Sequence, residues 1–125
     1  MRVAIIGSRN FNDYNKLKEI LNSLNLKIDL IISGGAKGAD TLGEKYAHEN
    51  NIPIKIFYPN WDLYGKKAGF IRNELIVKNS DIIIAFWDGK SKGTNHSINL
   101  AKKYNKSLII YNFIENKLYK FIKLF

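Results

Sequence analysis

Three short stretches concentrate the residue types that hold anions: "GSRNF" at 7–11, "SGGAKGAD" at 33–40 and "WDGKSKGTNH" at 87–96. In the second, Gly34 and Gly35 end an apolar run, and Gly38 precedes an acid, Asp40. Glycine permits positive φ and leaves backbone N–H groups uncovered, so a strand that turns at once into a helix here presents that helix end to an anion. Gly38 is expected to bring the helix close to the ligand, and Lys37 adds a point charge. The third stretch repeats the device with Gly89, Ser91, Gly93 and Thr94; Thr94 either caps a helix or donates its hydroxyl to phosphate. Gly7, Ser8 and Arg9 follow the first apolar run. Arg9 is one of only three arginines, with Arg2 and Arg72, and a planar guanidinium suits bidentate phosphate contact better than an ammonium does. Asp40 does not fit a simple phosphate cradle, because a carboxylate repels phosphate. It serves either as a first-turn acid on the helix dipole or as a partner for a ribose hydroxyl. The loops match neither the P-loop nor the G-x-G-x-x-G pattern. With no cysteine and two distant histidines, no metal site and no cofactor are expected.

These loops need elements to position them, and apolar runs alternate with helical stretches along the whole chain. "RVAII", "DLIIS", "IKIFY", "DIIIAFW" and "SLIIY" read as five strands. Between them, Tyr14, Leu17, Ile20, Leu21 and Leu24 form one helical face, with Asn12 or Asp13 as its cap. Leu42, Tyr46 and Ala47 form a second face in a helix ending at Asn50 or Asn51, and Ala68, Ile71, Leu75 and Ile76 a third. "TNHSINLAKKYN" supplies the fourth helix. Strands separated by helices require crossovers and therefore a parallel sheet. Runs apolar on consecutive residues require cover on both faces, so the fold class is α/β, a Rossmann-like doubly wound three-layer sandwich with a central parallel sheet of about five strands. With strand order 3-2-1-4-5, all three loops line one cleft beyond the carboxyl edge of the sheet. In the tail, Leu118, Phe121, Ile122 and Phe125 stand at helical spacing, which predicts a C-terminal helix that packs on the domain, forms a dimer contact or enters a partner's groove.

At 125 residues and 46% hydrophobic, the chain suits a single domain spanning 1–125. No stretch approaches the roughly 18 apolar residues of a membrane span, and no cleavage site follows the first apolar run, so no membrane partner and a cytoplasmic location are expected. The net charge of +9 suits a polyanionic partner, but the lysines are scattered over every segment. A nucleic-acid partner would need a contiguous basic and aromatic face, so a small molecule is favoured.

In chain order, "IIGSRNF", "SGGAKGAD", "AGFIRN" and "FWDGKSKGT" resemble the YspA-like branch of the SLOG superfamily, a Rossmann-like group that includes the LOG phosphoribohydrolases and DNA-processing protein A. The similarity runs from about residue 3 to about residue 101. It implies a domain that binds a nucleotide or nucleotide-derived ligand as a sensor or processing component. The alternatives are a nucleotide N-glycosidase or other nucleotide hydrolase, and a DNA-binding module. LOG enzymes use an Arg on the third helix and a Glu in a P-G-G-x-G-T-x-x-E loop. Arg72, followed by Asn73, stands at the place of that Arg, and Gly93–Thr94 match the G-T. Ser97 falls at the Glu position and cannot replace a carboxylate in hydrolysis. Asp88, ending the fourth strand, is the best-placed substitute ahead of Asp40 and Glu74, which makes Arg72 and Asp88 the candidate catalytic pair. His96 is either a phosphate contact or base, or a solvated polar residue, and His48 is structural. Trp61, Tyr64, Lys66 and Lys67 belong to a loop that either closes over a base or buries its own Trp.

Overall fold

Strands covered on both faces must be apolar on both, and "IIIAFW" at 82–87 is buried at five successive residues. The computed structural model of the protein describes residues 1–123. The elements are β1 (Arg2–Gly7), α1 (Tyr14–Leu24), β2 (Leu30–Ser33), α2 (Ala39–Glu49), β3 (Ile54–Ile56), α3 (Trp61–Tyr64), a 3₁₀ turn (Gly65–Lys67), α4 (Ala68–Lys78), β4 (Ile82–Trp87), α5 (Lys92–Lys103), β5 (Ser107–Asn112) and β6 (Lys117–Phe121). They form one sheet in the order β3-β2-β1-β4-β5-β6. The first five strands pair in parallel, with Ile5 opposite Ile84 and Ile84 opposite Ile109. Two apolar layers result. Val3, Ile5, Ile84 and Phe86 meet Leu17, Ile20 and Leu21 of α1 and Ala47 of α2. Ala4, Ile6, Ile83 and Ala85 meet Ile76 and Val77 of α4 and Ile98 and Ala101 of α5. Because β1 and β4 are neighbours while their following helices lie on opposite faces, their carboxyl ends flank the switch point.

Local signals are met at several places. Asp13 caps α1, its carboxylate accepting from Lys16 N at 3.0 Å, and Asn50 ends α2. Two expectations are corrected. The loop expected around Trp61 contains the short helix α3, which ends at Gly65 with a φ of +56°, and the 3₁₀ turn that leads into α4. In α4 it is Val77 that points inward, while Leu75 is 44% exposed.

The predicted C-terminal helix is the antiparallel strand β6, paired with β5 from Asn112↔Lys117 to Leu108↔Phe121. Asn112 initiates the reversal, its side-chain oxygen accepting from Ile114 N and Glu115 N, and Asn116 completes it with a φ of +54°. The open edge of β5 offers a ladder of backbone partners that a lone amphipathic helix does not have. Leu118, Phe121 and Ile122 remain exposed, so the helical spacing reflects no buried face. Phe125 lies outside the described residues.

Candidate functional site

The loop after β1 is locked by its own backbone. Ser8 is 1% exposed; its N–H donates to Phe86 O at 2.9 Å, and its hydroxyl accepts from Asp88 N at 3.1 Å. Ser8 therefore ties two loops together instead of facing a ligand, and the exposed Arg9 beyond it reaches the cleft. Gly7 permits this closeness, because a Cβ there would stand 2.8 Å from Ala39 Cβ and inside contact with Phe86 O.

The loop after β2 folds around Asp40. Its Oδ2 accepts from Gly34 N at 3.1 Å and Ala36 N at 3.3 Å, bending the chain before α2. Asp40 is 5% exposed, and burial pushes its carboxyl up to about 6 against the opposing pull of those amides and of Arg72. The sequence left open a first-turn role or a ligand role; the structure gives Asp40 a bracing role and leaves Oδ1 without a protein partner among the described residues. Gly38 is required by packing. Its φ is +82°, and a Cβ would lie 2.5 Å from Arg9 O, so the absence of a side chain lets it pack against the β1 loop.

Helix α4 brings Arg72 onto this loop. Its Nη1 donates to Gly34 O at 2.5 Å and its Nε to Asn73 Oδ1 at 2.9 Å, leaving Nη2 without a protein partner among the described residues. Burial holds the guanidinium below its ordinary value; Asp40 counters this and Arg9 adds to it. Asn73 in turn bridges to α5: its amide donates to Gly93 O at 3.4 Å and lies 3.3 Å from His96 Nδ1. His96 thus has a partner that the sequence did not reveal, and it also packs on Phe70 with ring centroids 4.5 Å apart. Burial lowers its pKa, and in the tautomer protonated at Nε2 the ring accepts from the Asn73 amide at Nδ1. His48 is exposed near the end of α2.

In the loop after β4, Asp88 Oδ1 accepts from Ser91 N at 2.7 Å and Lys90 N at 2.8 Å. Partial burial opposes ionisation, but these bonds and Ser8 outweigh it and hold the carboxyl below its ordinary value. Asp88 is a loop brace, not a proton donor poised near neutrality. Ser91, not Thr94, occupies the N-cap position of α5, without a side-chain capping bond, and their hydroxyls lie 3.2 Å apart.

A cavity of about 100 Å³ opens where the three loops meet. Gly7, Arg9, Asp40, Arg72 and Asn73 line one side, and Ser91, Gly93, Thr94 and Ser97 the other. Of the predicted residues, Ser8, Gly34, Gly35, Lys37, Gly38, Asp88 and Gly89 do not border it. Gly34, Gly35 and Lys37 border instead an adjoining hollow of about 300 Å³, with Pro59 and Trp61. Trp61, Tyr64, Lys66 and Lys67 are all exposed, so the loop does not bury its own Trp. Ile6 and Ile76 floor the cavity and Ala36 walls both spaces. Nothing in the sequence separates these apolar residues from core.

Lysines are dispersed over the surface. Lys16, Lys45, Lys55, Lys78 and Lys102 each lie over a different aromatic ring, on five separate elements. Among the described residues, no helix is long and apolar enough to cross a membrane.

Residues 1–64 match the model of a family described as YAcAr, the YspA, cpYpsA-related SLOG family. The chain is 32% identical over 112 residues to the Gene 61 protein of Mycobacterium phage D29, covering 82% of this chain and 89% of that protein. Its fold is similar to the X-ray structure of DNA processing protein A (DprA) from Streptococcus pneumoniae, with a TM-score of 0.72 and 18% identity. That similarity covers 87% of this chain and 49% of the DprA chain, so the protein spans about half of its length.

Proposed function

Since the chain belongs to the YspA, cpYpsA-related SLOG family, we propose that it binds a nucleotide or nucleotide-derived ligand in the cleft beyond β1, β2 and β4, as a sensor or processing component. One observation carries this reading. Arg9 and Arg72 converge on a cavity whose opposite wall is the N-terminal turn of a twelve-residue helix, α5. Arg9 is close enough to disfavour the charge on Arg72, an anion between the two guanidiniums relieves this, and the uncovered amides of α5 favour the same charge. The dispersed lysines supply no continuous track for a nucleic-acid backbone, which favours a small ligand.

Native mass spectrometry of the purified protein tests the reading by weighing what copurifies. A bound mass matching a nucleotide derivative supports it. Calorimetric titration with ribose 5-phosphate and nucleoside 5′-monophosphates, showing no heat with any of them in the parent and in Arg72→Ala alike, would refute it.

A second reading rests on Asp40. It is the only carboxylate lining the cavity among the described residues, and its pKa of about 6 suits general acid–base work near neutral pH. A nucleotide hydrolase here would use Asp40 rather than Asp88, which does not border the cavity. Release of free base that is lost in Asp40→Asn would establish that activity.

A further inference from the structure

The cavity that gathers the anion-holding groups is too small for a whole nucleotide. Its volume is about 100 Å³, below the roughly 300–1,000 Å³ of pockets that enclose an organic ligand. The adjoining hollow of about 300 Å³ shares Arg9, Ala36 and Arg72 with it as a common wall. The two spaces differ in chemistry. The cavity ends on the hydroxyls and amides of α5, whereas the hollow ends on Pro59 and the indole of Trp61.

Trp61 is 55% exposed, yet it is not loosely held. Asn60 caps α3 by accepting from Leu63 N at 3.1 Å. The far edge of the indole lies 3.6 Å from where a Cβ would stand on Gly69, in the first turn of the helix that carries Arg72. The ring therefore lies beside the helix that carries the guanidinium. An indole braced at its edge and open along the hollow is a platform for a flat ring, and stacking of this kind accepts any base because every base has a π-face.

We infer that the hollow is a base subsite: the ligand crosses the Arg72 wall with its 5′-phosphate at α5, its ribose beside Asp40 and its base on Trp61. This rests on the nucleotide reading above and adds the ligand's direction and the residue that senses its base. Asp40 supports the direction independently. Its Oδ2 is committed to the Gly34 and Ala36 amides, while Oδ1 is free to accept from a ribose hydroxyl and repels phosphate toward α5. A free nucleoside 5′-monophosphate and the 5′-phosphorylated end of a strand share this chemistry.

The test is calorimetric titration of the parent, Trp61→Ala and Trp61→Phe with ribose 5-phosphate, adenosine 5′-monophosphate and a 5′-phosphorylated tetranucleotide. The parent is expected to bind the nucleotide about ten- to a hundredfold more tightly than ribose 5-phosphate. Trp61→Ala is expected to erase that advantage while leaving ribose 5-phosphate affinity within about twofold, and Trp61→Phe to keep most of it. Tighter binding of the tetranucleotide assigns the strand end, and tighter binding of the monomer assigns the free nucleotide; either retains the subsite. Equal affinity of the parent for nucleotide and ribose 5-phosphate, or equal losses for both in Trp61→Ala, overturns the subsite alone. Failure of every phosphate probe to bind the parent overturns the nucleotide reading with it.

Discussion

Gly34→Ala places one methyl between the two side chains whose charges define the cavity. A Cβ at residue 34 would lie 2.7 Å from Arg72 Nη1 and 2.7 Å from Asp40 Oδ2, against the 3.4 Å at which ordinary contact begins, so each must retreat by about 0.7 Å. Both are ends of side chains, so the backbone need not move. The retreat stretches the Arg72–Gly34 O bond, now 2.5 Å, and the Asp40–Gly34 N bond, now 3.1 Å. Hydrogen bonds to charged groups contribute about 1.5–3 kcal/mol each, and water from the open cavity replaces part of that, so a stability loss of about 1–3 kcal/mol is expected. A guanidinium displaced by this much no longer meets an anion held by α5, and affinity for ribose 5-phosphate should fall about 10- to 100-fold. Calorimetric titration reads the second effect and urea unfolding the first. In an Arg72→Ala background the same methyl should cost no further affinity. Parent affinity in Gly34→Ala would refute the assignment of Arg72 as the anion fork.

Other perturbations separate the roles within the site. Gly38→Ala should destabilise the protein by about 2–4 kcal/mol, because a left-handed residue gains a side chain against fixed backbone oxygens; an unchanged urea midpoint would contradict the loop packing. Asp40 is raised in the fold from 3.8 to about 6, so its contribution to stability is present below about pH 4 and is lost as pH rises through 6. That interval corresponds to about 3 kcal/mol, and the parent should lose this much relative to Asp40→Asn between pH 4 and 7. Sulfate, which does not titrate in this range, should bind more tightly below pH 6 in the parent and not in Asp40→Asn. Incubation with nucleoside 5′-monophosphates should release no base above background, since Ser97 supplies no carboxylate; release abolished by Asp40→Asn would reverse that expectation. Truncation after Asn116 uncovers the edge of β5 and should cause aggregation measurable by light scattering; a soluble monomer would show that β6 is dispensable.

Much of the architecture was legible in the chain because its causes are local. Consecutive apolar residues at 30–32, 82–87 and 108–111 can only be buried on both faces, and intervening helical spacing forces parallel crossovers; the order 3-2-1-4-5, which sequence offered only as the condition for three loops meeting at one edge, is the order the parallel strands adopt. Gly38 announced a close approach, Gly34 and Gly35 a tight turn, and Arg72 was marked by its motif. What each approach was to could not be read. A glycine looks the same whether it makes room for a ligand or for Arg9 O, and only tertiary placement made Gly38 a packing residue and Gly34 the seat of Arg72. Asp88 and Asp40 exchanged prospects for the same reason: one is drawn to nearby backbone amides and stays ionised, the other is buried beside a guanidinium and pushed up to about 6. At the C-terminus, spacing compatible with a helix yielded to the unfilled edge of β5. A strand's partners there are backbone groups more than a few residues away, and side-chain periodicity carries no record of them.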